Sequence, residues 1–287
     1  MSPTAGKFIL TISCPDTTGL VATVSGFLRD HACFIDESSQ YGDPATQRFF
    51  MRAVFTPSKN SPLPEDIRTR FAAVAQPLHM TWEIVPADRR PRVLIAVSKI
   101  GHCLHDLLHR WQAGQMPIDV VGVFSNHEDM RSIVEWHRIP FHYLPITAAT
   151  KAAQEAAWLK LVDDTRADLV VLARYMQVLS PASARLLGGR CINIHHSFLP
   201  SFVGAKPYQQ AYDRGVKIIG ATAHFVTDGL DEGPIIEQAV ERVDHTHSVA
   251  DMVAVGRDLE NMVVSRAVRY FAERRVLQNG QKTVVFR

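Results

Sequence analysis

Apolar residues change their rhythm about a third of the way along this chain of 287 residues. In the first part they come in short runs broken by polar positions. KFILTISC (7–14) is apolar and β-branched, which favours a strand. PDTTGLVATVSGFLRDH follows, with Leu20, Val21, Val24, Phe27 and Leu28 at helical spacing. ACFIDESSQYG and QRFFMRAVF read as two strands joined by a loop that contains Gly42, Asp43 and Pro44. PEDIRTRFAAVAQPL predicts a second helix and HMTWEIV a closing strand. The order βαββαβ over residues 1–85 is that of the split ferredoxin-like unit.

PADRRPR, over 86–92, is charged and proline-broken, and reads as a linker. A second domain is expected over 93–287, where the rhythm differs. VLIAVS, DVVGVFS and DLVVLAR are continuous apolar runs, as in strands buried on both faces. The helical stretches HCLHDLLHRWQ, MRSIVEWHR and KAAQEAAWLKLVDD separate them, so the domain is α/β with an open, mostly parallel, Rossmann-like sheet. KIIGATAHFVT and GPIIEQAVERV read as two further strands around a polar turn. A last long helix starts near Ser248, with Asp251 at capping-box spacing, and runs through VVSRAVRYFAERR.

Composition narrows the function little. A net charge of +2 gives no basic field of the kind nucleic acid binding requires. Cys14, Cys33, Cys103 and Cys191 show no CxxC spacing, which suits reduced thiols in the cytoplasm better than a disulfide framework. MSPTAGKF lacks the apolar core of a signal sequence, and no apolar run reaches the roughly 20 residues of a membrane span. His102, His105 and His109 share part of a helix face without a partnering cluster, so no metal is expected. His245 and His247 read as a helix-entry loop. SKIGHC has a single glycine, Gly101, where a dinucleotide fold carries GxGxxG; a standard NAD-dependent dehydrogenase is not expected on that ground.

Chemistry concentrates in RCINIHHSFLP and ATAHFVTDGLDEGPIIEQ. Alternation along a strand sends Asn193 and His195 to one face, and His196 to the other unless the strand has ended. Pro200, Gly204 and Pro207 suit a shaped turn at a strand's C-terminal edge, where open α/β sheets bind ligands. His224 falls in a strand, with Asp228 and Asp231 in the turn after it. An amide and an imidazole can donate to an oxyanion, and a carboxylate can orient the histidine or relay a proton. Periodicity and composition alone stop at an α/β enzyme with its site near Asn193 and Asp231.

INIHHSFLPSF followed by HFVTDGLDEGPIIEQ resembles the signature of the formyltransferases that use 10-formyltetrahydrofolate. The resemblance implies that Asn193, His195 and Asp231 handle the formyl group, with His224 at a further matching position. Transfer to glycinamide ribonucleotide is one reading. SKIGHC, however, stands where those transferases carry a glycine-serine-rich phosphate loop. Methionyl-tRNA and sugar-nucleotide formyltransferases would be expected to carry further domains. CPDTTGLVATVSGFL, FFMRAVF, SNHEDM, LARYMQVLS, GAKPYQQAYDRGVKIIGATAHFV and GRDLENMVVSRAV together resemble the formyltetrahydrofolate deformylase family, in which an ACT-type module precedes the formyltransferase-like domain and water replaces the amine. A third reading, a folate- or amino-acid-binding regulator without turnover, is opposed by the intact Asn193, His195 and Asp231.

The deformylase resemblance implies that Asn193 and His195 stabilise the oxyanion while Asp231 holds the water, shuttles a proton or keeps His195 oriented. Asp231 should have a raised pKa if it takes a proton, and should stay ionised if it holds an imidazolium. The folate would lie against residues 174–179, with Met176, Gln177 and Leu179 contributing, and against the turn with Asp228; Gly204 and the auxiliary His196 complete the expected set. Folate is then the substrate, with no separate cofactor. Asp16 and Gly19 are candidates for a small effector such as methionine or glycine, their other reading being an N-cap and a packing glycine. An assembly of at least two chains is expected.

Overall fold

The computed structural model describes residues 6–200 and 207–287. The opening MSPTA and Gly204 lie outside the described residues. The chain divides into two compact units. One runs to Arg89 and also takes Glu273–Asn279 and Thr283–Arg287; the other comprises Arg90–Ala272 and Gly280–Lys282.

The first unit holds β1 (Phe8–Pro15), α1 (Leu20–Asp30), β2 (Cys33–Asp43), β3 (Arg48–Pro57), α2 (Pro64–Ala75) and β4 (Thr81–Pro86). They form an antiparallel sheet in the order β2-β3-β1-β4, the ACT-like arrangement. Alternation decides which face each residue serves. Leu10, Ile12, Met51, Ala53 and Phe55 pack with Leu20, Val24, Leu28, Ile67 and Phe71 of the two helices. The intervening residues of β3 are buried as well, so Phe50 and Arg52 need partners on the opposite face. They find them in a segment the periodicity did not predict. After the last long helix the chain makes a small hairpin, β12 (Val276–Asn279) and β13 (Lys282–Val285). Leu277 and Phe286 pack on Phe50, Arg52 donates through Nε to the Glu273 carbonyl at 3.1 Å, and Asn279 Nδ2 donates to Asp43 at 2.6 Å. The expectation that 93–287 forms one domain is therefore corrected: this hairpin supplies apolar cover to the sheet of the first unit.

The second unit contains β5 (Arg92–Val97), α3 (His102–Gln112), β6 (Asp119–Ser125), α4 (Arg131–Trp136), β7 (Phe141–Tyr143) and α5 (Lys151–Asp164). It continues with β8 (Leu169–Leu172), α6 (Pro181–Leu186), β9 (Cys191–His195), α7 (Pro207–Arg214), β10 (Ile218–Phe225), β11 (Ile235–Arg242) and α8 (Val249–Ala272). The sheet order is β11-β10-β9-β8-β5-β6-β7. β5 to β9 are parallel, and β10 and β11 are antiparallel additions. From β5 the chain builds outward through β6 and β7, then returns to the other side of β5 with β8. That reversal opens a crevice at the C-terminal ends of β5 and β8. Ser98, just past β5, spans it: its Oγ donates to Asn126 Oδ1 at 2.7 Å and accepts from the Met176 amide at 3.0 Å. The capping box forms as the spacing predicts, with the Ser248 amide donating to Asp251 at 2.8 Å and the Asp251 amide to Ser248 Oγ at 3.2 Å.

Candidate active site

β9 ends at His195, and β10 runs antiparallel beside it with His224 opposite Asn193. Both side chains thereby reach the same side of the sheet edge. After β10 the chain turns through residues 226–234 and returns as β11. Asp231 sits in this turn with φ of 58°, a left-handed conformation that aspartate tolerates better than most residues. Gly233 holds the turn in place. A Cβ there would lie 1.7 Å from the Phe225 carbonyl oxygen, so only glycine allows the approach.

Asp231 is the hub of the cluster. His195 Nδ1 lies 3.1 Å from one carboxylate oxygen. The other oxygen accepts from Asn193 Nδ2 at 3.3 Å and lies 3.5 Å from His224 Nε2. His224 Nδ1 donates to the Phe225 carbonyl at 2.9 Å, which leaves Nε2 facing the Asn193 amide at 3.3 Å. Burial opposes ionisation of Asp231, but hydrogen bonds from His195 and His224, and their charge, outweigh it and hold the carboxyl below its ordinary range. Of the two alternatives drawn from the sequence, the arrangement favours the ionised carboxylate. His195 Nε2 is buried and has no hydrogen-bond partner among the described residues.

The cluster opens onto a cavity of about 310 Å³. Its walls are residues 172 and 174–179 from the loop after β8, 193–196 from the end of β9, and 224 with 226–231 from β10 and its turn. The structure thus brings Met176, Gln177, Leu179, His224, Asp228 and His196 to one space with Asn193, His195 and Asp231. Met176, Val178 and Leu230 are each more than half exposed. Core packing therefore does not account for them, whereas Leu179 and Val226 lean on the core behind. Because β9 stops at His195, His196 does not turn to the opposite face and lines the cavity too. Asp228 also ion-pairs with Arg185.

Behind the cavity lies a polar cluster that the periodicity did not reveal. Glu260 of α8 is buried and accepts from His102 Nε2 at 2.8 Å and from Tyr208 Oη at 3.0 Å. Arg174, with φ of 64°, brings its Nε to 3.5 Å from the same carboxylate. The sequence signal was an acid at a position where α8 otherwise turns apolar side chains inward, between Gly256 and Val264. A Cβ at Gly256 would sit 2.0 Å from Tyr208 Oη, so that glycine seats the phenol. Ligand atoms of His102, Cys103 and Glu260 lie within 4.8 Å of one another. The Arg174 guanidinium already supplies the positive charge an ion would bring, and burial pushes the Cys103 thiol up, away from thiolate. This donor set does not suit a metal.

In the first unit, Asp16 is not the cap of α1. Gly19 takes that place at φ of 91°, without a side-chain hydrogen bond. The Asp16 carboxylate instead lies against Gly42, where a Cβ would come within 2.6 Å of Oδ2. All four cysteines are buried free thiols. Among the described residues no helix is long and apolar enough to cross a membrane.

Residues 91–268 match the formyl transferase family. A formyltetrahydrofolate deformylase of a Corynebacterium species (strain P-1) is 52% identical over 281 residues, covering 98% of both chains. The crystal structure of a formyltetrahydrofolate deformylase from Burkholderia mallei superposes with a TM-score of 0.94 at 53% identity, over 98% of this chain and 100% of that one. A glycinamide ribonucleotide transformylase from Symbiobacterium toebii reaches a TM-score of 0.65 at 30% identity, over 69% of this chain and 95% of its own. With its Asn193–His195–Asp231 cluster set in a matched formyl transferase domain, and with relatives alike along nearly their whole length, this chain belongs to the formyltetrahydrofolate deformylase family.

Proposed function

We propose that this chain hydrolyses 10-formyltetrahydrofolate to formate and tetrahydrofolate at the cavity beside β9. The observation that carries the reading is the Asp231 hub, an ionised carboxylate that orients an imidazole and an amide at the edge of a partly apolar cavity. Near full-length likeness to deformylases, against partial likeness to a transformylase, favours water over an amine as the acceptor. The pteridine lies against residues 174–179 and the 226–231 turn, where Met176, Val178 and Leu230 offer apolar surface and backbone groups offer hydrogen bonds.

The formyl oxygen sits between Asn193 and His195. The two 3.3 Å contacts of the Asn193 amide nitrogen are long, so the oxygen can take over one of its hydrogens. The imidazolium form of His195 donates through Nε2 while its Nδ1 faces Asp231. Both donations strengthen as the carbonyl becomes tetrahedral and its oxygen gains charge, which is where binding lowers a barrier. Collapse of the adduct breaks the C–N bond, and N10 takes a proton. The ACT-like unit is proposed to bind a small amino acid, methionine or glycine, near Asp16 and Gly19 and to pair with a second copy. Adding either amino acid to the assay and measuring molecular mass in solution test these points.

Formate release from 10-formyltetrahydrofolate, with and without glycinamide ribonucleotide, is the test of function. Formate without an acceptor, lost in Asp231→Asn, is expected. Formyl transfer that needs the nucleotide would instead make the chain a transferase.

A further inference from the structure

We propose that His196 is a further catalytic residue, the one that seats the attacking water beside the formyl carbon held by Asn193 and His195. The inference rests on the hydrolytic reading above. In that reading Asp231 is committed to His195 Nδ1, so the water needs a different polar partner.

The cavity wall offers few. His224 has its Nδ1 on the Phe225 carbonyl and its Nε2 against Asn193 and Asp231. Asp228 is paired with Arg185, and Thr227 Oγ1 turns to the Gly229 carbonyl at 3.4 Å. Arg174 faces Glu260. Gln177 lines the cavity in the 174–179 loop, the stretch assigned above to the pteridine and not to the formyl group. His196 remains. It is half-buried, lines the cavity, and has its ring 5.0 Å from that of His195 in an edge-on contact. It makes no hydrogen bond to any described residue, so its ring is available to a water next to the reacting carbon.

The surroundings of His196 keep it neutral. Burial is the largest cause, with the Arg174 and His195 charges acting in the same direction, and they outweigh Glu260 and Asp231 to push the imidazole down to about 4. A neutral imidazole carries both a donor and an acceptor, and can hold a water with a lone pair turned outward. The Tyr208 ring, 6.3 Å away and hydrogen-bonded to Glu260, backs it on the other side. In the step, the water oxygen forms its bond to the formyl carbon and the carbonyl pair moves onto oxygen. The C–N bond then breaks, one water proton ends on N10, and formic acid and tetrahydrofolate leave.

The test uses the full-length protein and two acceptors, water and hydroxylamine. Hydroxylamine attacks the same formyl carbon and gives formyl hydroxamate without needing a seated water. For His196→Ala, hydrolytic kcat should fall about 100-fold, with KM within about threefold, while hydroxamate formation holds within about twofold. His196→Gln, which keeps a donor and an acceptor, should recover about tenfold of that loss. Equal loss of both products, a change in KM alone, or unchanged hydrolysis overturns the proposal. If the alanine variant fails to fold, the hydroxamate-to-formate ratio of His196→Gln decides: a rise above wild type supports the assignment, and an unchanged ratio overturns it. Wild-type protein that releases no formate overturns the hydrolytic reading itself, which is read separately on the unaltered chain.

Discussion

Replacing Gly233 with alanine tests how far the chemistry depends on the turn that presents Asp231. The new Cβ would lie 1.7 Å from the Phe225 carbonyl oxygen and 2.9 Å from its carbon, whereas real Cβ atoms essentially never approach closer than 3.0 Å. The obstacle is backbone, and that backbone is held: the Phe225 amide donates to the Pro234 carbonyl at 2.9 Å, and β10 pairs with β9 on its far side. The turn must therefore give way by about 1.3 Å, a displacement that carries Asp231 out of reach of a His195 contact now at 3.1 Å. Misplacement of about 1 Å can cost roughly 100-fold in rate, so kcat/KM for formate release should fall by about that factor. Overpacking should also cost about 2 kcal/mol, or roughly 6 °C in Tm for a domain of this size. Gly229→Ala is the control in the same turn, because there the added Cβ meets the flexible end of the Glu232 side chain. It should keep Tm within about 2 °C of wild type. Steady-state formate release and thermal unfolding read both variants. Gly233→Ala retaining near wild-type turnover would refute the claim that this turn fixes Asp231.

Gly26, in α1, has open space where its Cβ would be, so Gly26→Ala should stabilise by about 0.5–1 kcal/mol. Gly256→Ala in α8 should reverse that sign, since the methyl group meets Tyr208 Oη; chemical denaturation compares the two. Leu277→Ala and Phe286→Ala uncover Phe50 and should each cost about 2–3 kcal/mol, read as a lower denaturant midpoint of the first unit. Asp231 and Glu260 are held below the ordinary carboxylate range, so their contribution to stability is complete above about pH 4 and is lost as pH falls through their folded-state values. Thermal unfolding followed from pH 7 downward should show their loss only below about pH 4; a decline beginning near pH 6 that Asp231→Asn and Glu260→Gln abolish would contradict this.

The two rhythms of the chain made both sheets legible, because strands half-covered and strands covered on both faces leave different apolar patterns. HCLHDLLHRWQ and KAAQEAAWLKLVDD matched α3 and α5 to the residue. Some short elements escaped. β7, of three residues, and α6 and α7, of six and eight, went unread, whereas α4, also of six, fell inside MRSIVEWHR. The hairpin after α8 escaped because Leu277 and Phe286 are ordinary apolar residues whose partner, Phe50, is distant in sequence. Of the site, Asn193, His195 and Asp231 were visible through strand alternation and motif spacing. Arg174, Tyr208 and Glu260 were not, since a buried charge network is defined by partners that only the fold brings together. His196 turned on a single residue of strand length, and β9 ends one position before it.

The hairpin on the first sheet also bears on the order in which the chain can fold. Asp43 and Asn279 are 236 positions apart, yet their side chains are hydrogen-bonded. As the chain leaves the ribosome, the first sheet emerges early, with Phe50 and Arg52 bare until residues 273–286 have been made. Contacts of such long range form slowly, and the exposed face is a site for wrong partners in the interval. A fragment ending near Arg89 would keep that face bare permanently, so cutting the chain between its units does not release a finished module.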